Sequence, residues 1–109
     1  LREALQTMTR IYAWKIQHLK RDDLLTLQTG TILADTQRMF GMLSESVALR
    51  RDVLARQRAA LGEAHERTLW TQGLLALTLV QQNELDEARA IHGQVLPIAA
   101  RVLGPDHEL

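Results

Sequence analysis

The sequence predicts an all-α protein, an α-α superhelix of about five antiparallel helices, and three observations support this. Leu, Ala, Gln and Arg dominate, whereas aromatic residues make up only 4%, glycines number 6 and prolines 2, a composition typical of helices. Apolar residues recur three and four positions apart, which gives a helix one apolar face. The sequence also matches itself at a fixed offset, which indicates a repeat architecture.

The offset brings Leu1 onto Leu43 and Leu43 onto Leu85, and it holds from one end of the chain to the other. Further matching positions include Leu19, Leu61 and Leu103; Gly62 and Gly104; Thr26-Leu27 and Thr68-Leu69; and Leu33-Ala34 and Leu75-Ala76. Unrelated helices would drift out of register over such a length. Each period therefore repeats one structural unit, which we expect to be a pair of helices.

The first pair of predicted helices spans about 1–18 and 24–40. Leu1, Leu5, Met8 and Tyr12 give the first of these helices its apolar face. The second follows the acidic pair Asp22-Asp23, which suits a helix N-terminus.

Three further helices complete the prediction, at about 43–60, 66–82 and 85–102. They begin after clusters of Gly, Asn, Asp or Pro, which break helices. The short connections at Gly41 and Asn83 make the helices that they join antiparallel. Pro97 lacks an amide hydrogen, so we expect a kink in the last helix.

A chain of 109 residues has room for one domain. The repeat divides it into a half repeat (1–19), two full repeats (20–61 and 62–103) and a linker remnant (104–109). A helix pair cannot cover its own apolar surface, so we expect the pairs to stack. Because the chain begins at Leu1, inside a predicted helix, we expect a fragment of a longer array.

Charge and composition narrow the class of protein. Thirteen basic and thirteen acidic residues cancel, so net charge predicts neither a nucleic-acid partner nor a membrane partner. The charge is uneven, however, at +4 over residues 1–60 and −4 over residues 61–109. No apolar run is long enough for a membrane span, and the chain has no cysteine. We therefore expect a cytoplasmic protein.

The boundary between the repeats carries a family resemblance. One pattern resembles the linker between kinesin-light-chain-like tetratricopeptide repeats. It consists of Leu61, Gly62, His65, Thr68 and Leu69, and it starts a second time at 102–107. Leu75-Ala76 and Leu85-Asp86-Glu87-Ala88 resemble the helices of the same repeats. The resemblance implies a non-enzymatic scaffold that binds a protein or peptide partner and needs no cofactor.

Repeats of this family carry an Asn that faces the groove and holds a peptide backbone, but Ile32 and Leu74 stand there in this sequence. A backbone clamp of the usual kind is therefore not expected. The spacing of helical faces predicts a concave surface lined by Gln28, Thr31, Asp35, Arg38, Met39, Trp70, Gly73, Leu77, Val80 and Gln81. Trp70, Leu77 and Val80 form an apolar stripe, which either binds a helix or apolar peptide or packs on a neighbouring repeat or symmetry mate.

The resemblance also implies a bulky apolar residue that packs on the next repeat, at the position of Met8, Arg50 and His92. We expect His92 to be buried there with its hydrogen bonds satisfied, and Arg50 to extend its charged head to solvent. The run Arg50, Arg51, Arg56 and Arg58 is interpreted as a solvated outer face.

Nothing in the sequence predicts an enzyme or a metal site. His18, His65, His92 and His107 lack the spacing of helical zinc ligands, and a structural role at the linkers is preferred for them. Acidic pairs such as Asp86-Glu87 lie at helix starts, where capping explains them. No phosphate-binding loop or nucleophile motif is present.

The alternative function is self-assembly through the ends of the superhelix. Its candidate faces are Leu1, Leu5, Met8 and Tyr12 on the first helix and Ile91, Val95 and Ile98 on the fifth. Together with the opposite charges of the two halves, these faces predict head-to-tail association or dimerisation.

Overall fold

The computed structural model describes residues 2–103, which form five α-helices and no strand. The helices are α1 (Arg2–His18), α2 (Leu24–Met39), α3 (Leu43–Leu61), α4 (Glu66–Gln81) and α5 (Leu85–Leu103). The predicted helices are confirmed, with boundaries that differ by no more than one residue. Pro97 lies inside α5, which continues through it.

Two turns, one repeat apart, reverse the chain in the same way. Gly41 after α2 and Asn83 after α4 both adopt positive φ angles, of 78° and 64°. The amides that follow bond back into the preceding helix, from Met42 to the Gln37 carbonyl at 2.8 Å and from Glu84 to the Leu79 carbonyl at 2.8 Å. A left-handed residue at a helix end satisfies the last carbonyls and makes the next helix antiparallel.

The starts of α2 and α4 are also equivalent. The Leu25 amide donates to Asp23 Oδ1 at 2.9 Å, and the Arg67 amide donates to His65 Nδ1 at 3.1 Å. Asp23 and His65 occupy the same position in successive repeats. Both side chains satisfy a helix amide that has no partner within the helix. The predicted local role of His65 is confirmed.

The core lies where α4 packs against α3 and α5. One cluster of six buried side chains lies there: Val47, Leu54, Leu75, Ala76, Leu79 and Ala88. Further buried apolar side chains lie on the other helices, among them Leu27, Leu33 and Ala34 on α2. Each helix packs on the helix before it and the helix after it. The helices therefore stack in sequence order, as the superhelix prediction requires. None of the described helices combines the length and apolarity that crossing a membrane demands.

One glycine permits a particularly close approach between helices. A β-carbon on Gly30 would lie 3.0 Å from Tyr12 Cε1 and 3.0 Å from Val53 Cγ2. The Tyr12 ring from α1 therefore occupies the space above the α2 backbone. Burial of that ring raises the pKa of the Tyr12 hydroxyl above its ordinary value.

Candidate functional site

An open groove of about 480 Å³ runs between α2 and α4, with α3 beneath it, and is called here the α2–α4 groove. Its lining residues are Gln28, Thr31 and Ile32 from α2, Gln57 from α3, and Glu66, Arg67, Trp70 and Thr71 from α4. The volume is in the range of sites that bind small molecules or single side chains. Polar side chains outnumber apolar ones among its lining residues.

The repeat explains why these residues meet. Because α2 and α4 are the first helices of successive pairs, they present equivalent faces; Gln28 and Trp70, one repeat apart, both line the groove. α3 packs on both helices and contributes Gln57 from below. Trp70 remains 68% exposed, so its ring forms an accessible wall rather than part of the core.

The structure brings only some of the predicted concave residues into this groove. Gln28, Thr31 and Trp70 line it. The remaining predicted residues lie on the same two helices but are not among the lining residues: Asp35, Arg38, Met39, Gly73, Leu77, Val80 and Gln81. Met39, Leu77 and Val80 are exposed.

Sequence reasoning missed most of the polar lining. Gln57, Glu66, Arg67 and Thr71 were not predicted as site residues, and Ile32 was noted only as a departure from the family pattern. The predicted surface comprises one face of each first helix, so it includes no residue of α3. Lys15 occupies the position of Gln57 one repeat earlier, but this equivalence alone does not place either residue in a groove.

The prediction that Arg50 reaches solvent is wrong. Its side chain is 1% exposed and forms an ion pair with Asp35 on α2. Arg50 lies on α3, which packs against both α2 and α4, and its side chain is buried there. A guanidinium buried in this way needs an acidic partner, which Asp35 supplies.

The rest of the basic run is partly exposed to solvent, and each of its arginines is paired with a carboxylate. Arg51 donates to both carboxylate oxygens of Glu87, at 2.6 and 2.8 Å, and these hydrogen bonds lower the pKa of Glu87. The other pairs are Arg56 with Asp22 at 2.7 Å and with Asp52 at 3.2 Å, and Arg58 with Glu63 at 2.7 Å. The Arg56–Asp52 pair lies within α3, and the other pairs connect α3 to α5 and to the loops on either side.

The predicted burial of His92 is also wrong. His92 is exposed, because among residues 2–103 no helix packs on that face of α5. Elsewhere on the chain, the His18 ring stacks on Trp14, with the ring centroids 4.3 Å apart, and its Nδ1 lies 2.9 Å from the Trp14 carbonyl oxygen. His107 lies outside the described residues. Over residues 2–103, no cluster of three His, Asp or Glu side chains has the geometry to hold a metal ion.

The proposed self-association residues are half-buried rather than fully exposed. This applies to Leu5, Met8, Tyr12, Ile91, Val95 and Ile98, whereas Leu1 lies outside the described residues. Larger apolar exposures on α1 and α5 occur at Ile11, Trp14, Leu96 and Val102. Val102 follows Ile98 and Val95 at spacings of four and seven, so it lies on the predicted face of α5, whereas Trp14 and Leu96 are exposed outside the predicted sets.

Comparisons with known proteins agree with this architecture. The sequence profile of the Tetratricopeptide repeat family matches residues 68–108. Two crystal structures of a kinesin-light-chain-related protein of Podosopora anserina, which has nearly identical TPR-like repeats, are similar to this chain. One is a Q17M variant; both have a TM-score of 0.90 and 26% sequence identity.

The chain aligns over 97% of its own length but spans only 50% of the chain in each of these structures. A search among curated proteins finds none that matches.

Proposed function

Because the chain is a tetratricopeptide-repeat protein with kinesin-light-chain-like repeats, and such repeats mediate protein–protein interaction, we propose that it binds a peptide or helix of a partner on its concave surface. The observation that carries the proposal is the wide exposure of Trp70 beside the α2–α4 groove. A large aromatic side chain that is left open at a groove is the residue type that dominates protein interfaces.

The exposed apolar residues of α4 extend the proposed surface. Trp70, Leu77 and Val80 are separated by seven and three residues, so they lie along one side of the helix. Gly73 lies between them, and a β-carbon there would meet no atom within 4 Å. A partner can therefore approach the α4 backbone closely at Gly73. The wider surface includes Met39 and Arg38 on α2.

Selection from a random peptide library on the immobilised chain tests the proposal. Peptides that bind the concave surface should lose at least ten-fold in affinity for the variant Trp70→Ala/Leu77→Asp. The matched control is Trp14→Ala/Ile11→Asp, which removes exposed apolar side chains from α1, away from the groove, and should retain binding. Selected peptides that bind the first variant and the unaltered chain equally would refute the proposal.

We propose self-association as a second function, because one comparison of equivalent residues supports it. Leu54 on α3 is 5% exposed, whereas Leu96, its equivalent on α5, is 55% exposed. The surface of α5 around Leu96 thus corresponds to the surface of α3 around Leu54, which α4 covers. A second copy is the suggested occupant, because the halves of the chain carry net charges of +4 and −4.

Light scattering at low ionic strength tests this function. A dimer or larger species that Leu96→Asp converts to monomer would support it. A strictly monomeric chain at high concentration would refute it.

A further inference from the structure

We infer that the α2–α4 groove receives a lysine side chain of the partner, an inference that rests on the proposed peptide-binding function. Its starting point is Gln57, which lines the groove although it is only 5% exposed. Its Oε1 atom is buried and accepts no hydrogen bond from any described residue. A buried acceptor without a partner opposes folding, so a ligand that supplies a donor gains the missing hydrogen bond.

The repeat indicates which donor fits. Lys15 is the equivalent of Gln57 one repeat earlier, and Thr29 is the equivalent of Thr71. In the earlier unit, Lys15 Nζ donates to Thr29 Oγ1 at 2.7 Å. The same place in the fold thus holds an ammonium group on a threonine hydroxyl. Glutamine is shorter than lysine and uncharged, so Gln57 supplies no ammonium to Thr71, which also lines the groove.

The other lining residues suit a cation at this place. Glu66 adds a carboxylate at the groove. The open ring of Trp70 adds an aromatic face, which attracts ammonium groups. Ile32, also exposed, offers an apolar wall for the four methylene groups of a lysine. Together these residues supply a hydrogen-bond acceptor, a negative charge, a π surface and an apolar wall.

Arg67 is the lining residue that opposes a second cation. Its side chain is exposed on the first turn of α4, so it can turn towards water when an ammonium group enters. Arg67 and Glu66 are both exposed, so water and salt screen the repulsion from one and the attraction of the other to a similar extent. Replacing Arg67 by Gln should therefore tighten lysine binding about two-fold.

Two pentapeptides test the inference on the unaltered chain. The sequence acetyl-Gly-Ala-Lys-Ala-Gly-amide is compared with the same peptide carrying Nε-acetyl-lysine, which has the stem but no charge. Binding is measured by NMR, from the shift of the Gln57 side-chain amide during titration. The lysine peptide should bind at least five-fold more tightly, and 0.5 M NaCl should weaken it. Equal binding of the two peptides would overturn the inference.

Variants of Gln57 supply a second test. Gln57→Glu should tighten binding of the lysine peptide several-fold. Gln57→Lys should abolish it, because the new ammonium group reaches Thr71 as Lys15 reaches Thr29. Gln17→Lys adds the same charge at an exposed position on α1 and should leave binding unchanged. If circular dichroism shows that the Gln57 variants do not fold, the comparison of the two peptides on the unaltered chain still tests the inference.

The outcomes separate this inference from the proposed function. Library-selected peptides that need Trp70 but bind equally with lysine or acetyl-lysine would refute the lysine site and leave the peptide-binding surface standing. Failure of the lysine peptide and of all selected peptides to bind would refute both.

Discussion

The guanidinium of Arg50 is buried between helices, while the carboxylate of Asp35 that pairs with it remains 40% exposed. The Nε and Nη1 atoms of Arg50 have no hydrogen-bond partner among residues 2–103. One repeat earlier, Met8 occupies the position of Arg50. A buried charge with a single acidic partner contributes little net stability, because its desolvation offsets the attraction.

Arg50→Met should therefore stabilise the protein, by about 1 kcal/mol in the free energy of unfolding. Asp35→Asn should destabilise it by about 2 kcal/mol, because the buried guanidinium then lacks its carboxylate. Urea unfolding measures both values. In the double variant, Asp35→Asn should have almost no further effect. An Arg50→Met variant as unstable as Asp35→Asn would contradict this account.

Two glycines in helix interiors should respond oppositely to alanine. Gly30→Ala pushes a methyl group against Tyr12 and Val53, and should lower the free energy of unfolding by about 1 kcal/mol. Gly73→Ala meets no atom and should raise it by up to ~1 kcal/mol, because alanine favours the helix. Thermal unfolding distinguishes the two.

A compensating change tests the cause of the Gly30 effect. Leu54 is the repeat equivalent of Tyr12, so Tyr12→Leu should relieve much of the clash in the Gly30→Ala background. Additive losses from the two substitutions would show that contact with the ring is not the cause.

His65, which caps α4, can be replaced by Asp, the residue type that caps α2. His65→Asp should preserve or raise stability, because Asp23 caps α2 through the same type of bond and a carboxylate suits a helix N-terminus. His65→Ala should lose about 1 kcal/mol. Chemical denaturation at pH 7 compares the variants. Equal stability of the alanine variant and the unaltered chain would rule out a capping role.

The Arg51–Glu87 pair should make stability depend on acid pH. The hydrogen bonds from Arg51 lower the pKa of Glu87 in the folded protein. The contribution of the pair is therefore present above the unfolded-state pKa of roughly 4.3 and is lost as pH falls through the lower folded-state pKa. Because the pair lies at the surface, solvent screening limits it to about 0.5 kcal/mol.

Glu87→Gln should lower stability at pH 7 by that amount and have no effect at pH 2. Arg51→Gln should match it at pH 7, and 0.5 M NaCl should reduce the difference. An effect of Glu87→Gln that persists at pH 2 would assign the role to packing instead.

The repeat made the fold predictable from the sequence. Apolar spacing located the helices, and Gly41 and Asn83 located the reversals, because few residues tolerate positive φ angles. Equivalent pairs such as Leu33-Ala34 and Leu75-Ala76 are buried as their pattern predicts. These features depend on local sequence and on its repetition along the chain, and both can be read from one sequence.

Burial at the interfaces between helix pairs was harder to predict. Arg50 and His92 occupy equivalent positions, yet one is buried and the other exposed, because α4 covers only the first. From residue type, Arg50 was expected to reach solvent and His92 to be buried. The spacing of residues on the first helix of each pair correctly predicted that Trp70 and Gln28 line the groove. Gln57 lies on α3, the second helix of a pair, and its place in the groove depends on how the helices pack.

The stacking of each helix on its neighbours in sequence has a mechanical consequence. A small rotation at one helix contact need not disturb distant contacts. Slight rotations at successive contacts can therefore add up along the chain. Amide hydrogens in α3 and α4, which are held from both sides, should exchange with deuterium more slowly than those of α1. Because α3 packs on both α2 and α4, rotations at these two contacts would change the distance between α2 and α4, and with it the width of the α2–α4 groove.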